Sequence, residues 1–223
     1  MPRQDQYLTC IQLAAPRQDD VLVFGGINSN TAGELYCYNV VKDAWTLEAN
    51  LGHTFLPAVC ADPTTGVVYV FDFTRSYTYW PDSRTWGDNI RGFMLYPRHR
   101  AMAVYLPRLS GFLIVGGFDP NGIYLDVMEF YSTVTRDFHE VPHLRLPQES
   151  TDGGSHNLGH LHVLSHDTLS WVPHMHTNRF VMHQLDISSC THHTHLALLS
   201  WTVTPLAAPS FVGRVLDSFA VVL

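Results

Sequence analysis

The chain has 223 residues, of which 46% are hydrophobic, 12% aromatic and 15% charged; this excludes a disordered polypeptide, in which low hydrophobicity accompanies high net charge. Thirteen Lys and Arg against 20 Asp and Glu leave a formal charge of −7, and Lys42 is the only lysine; with its arginines scattered, the chain lacks the basic stripe of a nucleic-acid binder or a polybasic membrane segment. Cys10, Cys37, Cys60 and Cys190 form no C-x-x-C pair, so neither a structural zinc site nor a disulfide framework is indicated.

The N-terminal segment MPRQDQYLTC has no basic region followed by an apolar run. It predicts no secretory signal and hence a cytoplasmic or nuclear location. Tyr7–Leu13 alternates as an outer strand does, and Pro16–Asp20 supplies a turn. Val21–Phe24 is a continuous apolar run ending in Gly25-Gly26, the pattern of a strand buried on both faces whose end needs positive φ. A polar loop, the strand Leu35–Tyr38, a turn at Lys42-Asp43 and a strand at Trp45–Leu47 complete the unit.

The same order returns with Leu56–Cys60, Val67–Phe71, Tyr77–Trp80 and Trp86. Asp72-Phe73 stands in the glycine slot there, which predicts a different turn. A third copy runs through Ala101–Tyr105, a turn at Arg108–Gly111, Phe112–Val115 before Gly116-Gly117, Asp126–Tyr131, and Phe138 at the tryptophan position. Gly25, Asp72 and Gly116 stand 47 and 44 residues apart (72 − 25 and 116 − 72). A period of that length holding four short strands is the size of a β-propeller blade, since one twisted four-stranded sheet cannot cover its own faces.

The ordered motif Gly-Gly, Tyr, Trp resembles the Kelch repeat. It is matched by Gly25, Gly26, Tyr38 (or Tyr36) and Trp45, by Trp86 in the second copy, and by Gly116, Gly117, Tyr131 and Phe138 in the third. Pro97-Arg98-His99-Arg100 is similar to the Pro-Arg segment that opens many such blades. The resemblance covers about Tyr7 to Pro142. It implies an all-β Kelch-type propeller over 1–147 and, as function, a non-catalytic protein-binding scaffold or adaptor. Six or seven blades at this period need about 270 to 315 residues, so three to four blades are expected to leave the ring incomplete and its edge open to self-association.

Over 148–173, Gly153-Gly154, Leu161–Leu164 and Trp171 follow the glycine, third-strand and tryptophan order without a first half. The segment reads either as a degenerate fourth blade or as coincidence. The remainder, 174–223, is histidine-rich and then apolar. Pro205 and Pro209 interrupt its uncharged stretch, which argues against a membrane span; strands at His195–Val203 and Phe219–Leu223, or a tail without stable structure, are the readings left.

Two kinds of candidate functional residue can be named. The loops after the glycine slots differ between copies, and equivalent turns of successive blades lie side by side, so Asn28, Asn30, Asp119 and Asn121, with Arg98 and Arg100 from the blade entrance, form a candidate partner-binding face. The same Asn and Asp suit turns for their own sake, and the arginines suit pairing with a neighbouring carboxylate. His174, His176, His192, His193 and His195 are the candidate metal ligands, with His193 and His195 on one face if they lie in a strand. A copper radical oxidase of the galactose oxidase type, which resembles Kelch proteins in its blades, is the enzymatic alternative, although its tyrosine, histidine and cysteine ligands cannot be placed here. No cofactor is expected.

Overall fold

A computed structural model describes residues 9–13, 16–24, 34–50, 56–73, 75–87, 90, 92–146, 159–165, 167–173 and 181–205. The described residues form four antiparallel sheets of four strands, each sheet following the chain strand by strand. The first holds β1 (Thr9–Gln12), β2 (Asp20–Phe24), β3 (Glu34–Asn39) and β4 (Ala44–Asn50); the second holds β5 (Ala58–Ala61), β6 (Val68–Asp72), β7 (Arg75–Trp80) and β8 (Thr85–Trp86). The third holds β9 (Met102–Leu106), β10 (Gly111–Val115), β11 (Val127–Ser132) and β12 (Phe138–Arg145), and the fourth β13 (Gly159–Ser165), β14 (Thr168–Pro173), β15 (Val181–Asp186) and β16 (Thr202–Pro205).

Alternation along the strands turns these sheets into a stack. Side chains two apart point the same way, so each inner sheet supplies two apolar faces. Val68, Val70 and Tyr79 of the second sheet close on Leu22, Phe24, Leu35 and Cys37 of the first. Its opposite face carries Ala58 and Phe71 against Tyr105, Phe112, Ile114, Tyr131 and Phe138 of the third. The third sheet turns Leu113, Val115, Met128 and Phe130 toward Leu169 and Leu185 of the fourth. All five residues of β10 are buried for this reason. The first strands of successive sheets, β1, β5, β9 and β13, lie next to one another. Fully burying one such Leu, Ile or Phe contributes about 1.5–3 kcal/mol, so these three seams hold the sheets together.

The fourth sheet departs from the sequence expectation. Leu161–Leu164 lies in its first strand and not its third, and Trp171 in its second. The third and fourth strands come from beyond residue 173, out of the histidine-rich stretch expected to stand apart. The pattern misleads because strand-to-strand pairing needs backbone groups and one apolar face, and Leu169 and Leu185 supply that face between polar neighbours. The strand expected at His195–Val203 is a short 3₁₀ helix at His193–Leu198 followed by β16. Gly25, Gly26, Asn28, Asn30, Gly153, Gly154, His174, His176 and the segment Phe219–Leu223 lie outside the described residues.

At the glycine slots the turn is only partly different between copies. Gly116 and Gly117 have φ of 67° and 90°; in the second sheet Asp72 stays in the strand, whereas Phe73 takes a φ of 52°. A Cβ on Gly117 would stand 2.6 Å from the His99 carbonyl oxygen. We expect Gly117→Ala to cost about 1–3 kcal/mol, because it combines a left-handed backbone with a backbone clash. Gly122, at φ 78° with nothing near its absent Cβ, isolates the backbone part, so Gly122→Ala should lower the melting temperature less; equal effects would contradict the clash.

Candidate partner-binding face

Strand direction fixes which loops share an end. In the second and third sheets the connection between second and third strands leaves from the same end as the link joining the two sheets, and the hairpin turns between first and second and between third and fourth strands leave from the other. Hydrogen bonds knit the first set together. Arg98 N–H donates to the Phe73 carbonyl at 3.3 Å, His99 and Phe118 exchange backbone bonds of 3.0 and 2.9 Å, and Arg100 N–H donates to the Leu56 carbonyl at 2.9 Å. Rings follow the backbone. Phe73 stacks on His99 at 6.3 Å, His99 faces Phe118 at 5.9 Å, Phe118 meets Tyr124 edge-on at 5.8 Å, and the Arg100 guanidinium lies 5.9 Å from the Phe118 ring. Burial first, then the Arg100 charge, holds the His99 imidazole below its ordinary pKa, so this row of rings stays uncharged except at Arg100. Around it, Leu95 and Ile123 are exposed by 49% and 62%.

The expected site residues divide. Asp119 uses its carboxylate on its own loop: Oδ1 accepts from the Asn121 and Ile123 N–H groups at 2.9 and 2.7 Å, and Oδ2 from Asn121 Nδ2 at 3.2 Å. The Ile123 bond, with the Asn121 bonds, holds its carboxyl below the usual range, the behaviour of a turn-forming aspartate. Asn121 is exposed and Arg100 half-buried at the same end.

Arg98 is a correction to the expected contact set. It is 1% exposed and points between sheets, where Nη1 donates to the Gly116 and Val127 carbonyls at 2.9 and 3.0 Å, Nε to the Tyr96 carbonyl at 3.2 Å, and Nη2 lies 3.2 Å from Glu129 Oε1. Its guanidinium stitches the third sheet and cannot reach a partner. The aromatic motif residues are likewise structural: Tyr38–Trp45, Tyr79–Trp86 and Tyr131–Phe138 form ring pairs at 4.8, 5.0 and 4.9 Å across neighbouring strands. Sequence reasoning missed Phe73, Phe118 and Leu95; apolar residues inside otherwise polar connections were the available signal.

Of the candidate metal ligands, His192, His193 and His195 come together with His139, which the sequence did not suggest. The rings stack instead of converging: His139–His193 at 4.0 Å, His192–His193 at 4.1 Å, with His193 also 5.5 Å from Phe130. Nitrogens of His139, His192 and His195 contact Thr135, Thr194 and Thr191. Among the described residues no group of three or more His, Cys, Asp or Glu is placed to hold a metal ion, and no helix is long and apolar enough to cross a membrane.

No protein-family model and no curated protein matches the chain. Among solved structures it is similar to the one titled "Structure of YjhT", at 12% identity and a TM-score of 0.51, over 86% of this chain and 63% of that one. The chain thus spans somewhat under two thirds of the length of that structure. The likeness is one of fold, an all-β, propeller-like succession of antiparallel sheets.

Proposed function

We propose that the chain is a non-catalytic scaffold built from Kelch-type repeats, an incomplete propeller segment of three to four blades that binds another protein. The observation that carries this reading is the row Phe73, His99 and Phe118, held by backbone bonds between two sheets and bordered by exposed Leu95 and Ile123. Rigid apolar anchors with a polar surround of Arg100, Asp119 and Asn121 are what a protein partner's side chains bury against.

A photo-crosslinking residue at position 123 or 95 should yield one discrete protein adduct, and the same residue at Val134, 75% exposed in a hairpin turn at the opposite end, should not. For the partner so identified, Leu95→Ser with Ile123→Asp should weaken affinity at least tenfold, about 1.4 kcal/mol or more, at an unchanged melting temperature. Equal adducts from both ends, or full affinity in the double variant, would overturn the assignment.

A further inference from the structure

At the hairpin-turn end the first and third seams each carry an ion pair between sheets, and the second carries none among the described residues. At the first seam Glu48 of β4 accepts from the Tyr79 hydroxyl at 2.7 Å and meets Arg17 at 2.8 Å and Arg84 at 3.5 Å. At the third, Arg108 pairs with Asp167 and donates to the Ser188 carbonyl at 3.0 Å. At the second seam the counterparts of Tyr79 and Arg84 follow from register. Tyr79 pairs with Trp86 as Tyr131 pairs with Phe138, and Arg84 and Arg136 each stand two residues before that aromatic, both at positive φ. Arg136 makes no ion pair and no side-chain hydrogen bond with the described residues, and neither the Tyr131 nor the Tyr69 hydroxyl makes a hydrogen bond there.

These groups line a cleft of about 500 Å³ between the second and third sheets, walled by Tyr69, Trp80 and Tyr131, with Thr78 and Arg136 at its polar side. Trp80 is 48% exposed, so the wall is accessible from solvent. The Arg136 charge acts on both phenols, which places the three groups in one field. Among the described residues two carboxylates lie nearby: Asp62 is held by Thr64 in its own turn, at 2.6 and 2.9 Å, and Asp137 follows Arg136 in the hairpin.

We propose that this cleft binds a small aromatic carboxylate, whose carboxylate group takes beside Tyr131 and Arg136 the part that Glu48 takes beside Tyr79 and Arg84. An arginine with a flanking hydroxyl donor is suited to a carboxylate, and charge-assisted bonds of this kind are about twice as strong as neutral ones. The Trp80 and Tyr69 rings suit a flat apolar body. The site lies at the opposite end of the sheets from the partner-binding face and does not depend on that reading.

The test uses the whole chain and 4-fluorobenzoate, followed by fluorine NMR line broadening, with 4-fluorobenzamide as the uncharged isostere. Saturable binding of the acid is expected, at least tenfold tighter than the amide. Arg136→Gln should weaken the acid at least tenfold and leave the amide unchanged, and Tyr131→Phe should weaken it about threefold. Arg136 is exposed, so its variant tests the proposal even if Tyr131→Phe perturbs folding. No binding up to about 10 mM, the range of weak fragment affinities, equal binding of acid and amide, or an unaltered Arg136→Gln would each overturn it.

Discussion

Arg98→Met is expected to lower the unfolding free energy by about 3–5 kcal/mol, the range for removing one partner of a buried ion pair. Both side chains of the pair are fully buried, and burial pushes the Glu129 carboxyl up. Without the guanidinium, Glu129 keeps only the N–H groups of the Leu95–Tyr96 stretch as counterweight, the Leu95 bond being 2.8 Å. The carbonyls of Tyr96, Gly116 and Val127 also lose their donor, which adds desolvation costs of about 1–3 kcal/mol for a buried polar group left unsatisfied. Urea denaturation of Arg98→Met, Glu129→Gln and the double variant separates these parts. The double variant should be more stable than the sum of the singles predicts by about 2 kcal/mol or more. Additive losses would show that the carbonyl bonds alone account for the effect.

The second large effect is acid lability at the junction of the third and fourth sheets. Burial, then the neighbouring His139 and His192, hold His193 at a pKa of about 4 against an ordinary 6.5. A histidine with a lowered folded-state pKa binds its proton more readily in the unfolded chain. Its contribution to stability is therefore complete above pH 6.5 and is lost as pH falls from there to about 4. A fully buried group shifted this far would account for roughly 3 kcal/mol; the open side of this ring screens it, leaving about 1–2 kcal/mol. We expect the melting temperature to fall between pH 6.5 and 4, and His193→Phe, which keeps the stack on Phe130, to flatten that profile. A variant profile superimposable on the wild type would remove His193 as the cause.

The strands of the first three sheets were legible because their apolar runs and turns obey the period-2 rule, and because one unit explains the next. The buried role of Arg98 had a visible counterpart: Glu129 interrupts the apolar run Val127–Tyr131, and a carboxylate inside a strand buried on both faces requires a cation. The fourth sheet was not legible, since β15 carries His183 and Gln184 among its apolar residues and its link to β16 runs through fifteen residues, Ile187–Trp201. That link packs its 3₁₀ helix on β12 and sends Trp201 Nε1–H to the Arg145 carbonyl at 2.9 Å, long-range contacts that no local pattern encodes. The cleft beside Arg136 was hidden for a similar reason: it becomes apparent only when seams, rather than strands, are aligned.

Among the described residues each sheet packs its core on its neighbours in the chain, which makes a one-dimensional array and sets the order in which the molecule opens. A sheet with a seam on one side is released by breaking one interface, whereas the inner two must break two. Local opening therefore starts with the first and fourth sheets. Slowest amide hydrogen exchange falls on β10, whose residues Gly111–Val115 are buried on both faces and bonded to β9 and β11 along their whole length. The third sheet is then the last part of the chain to lose its structure and, if folding retraces that order, the first on which the others assemble.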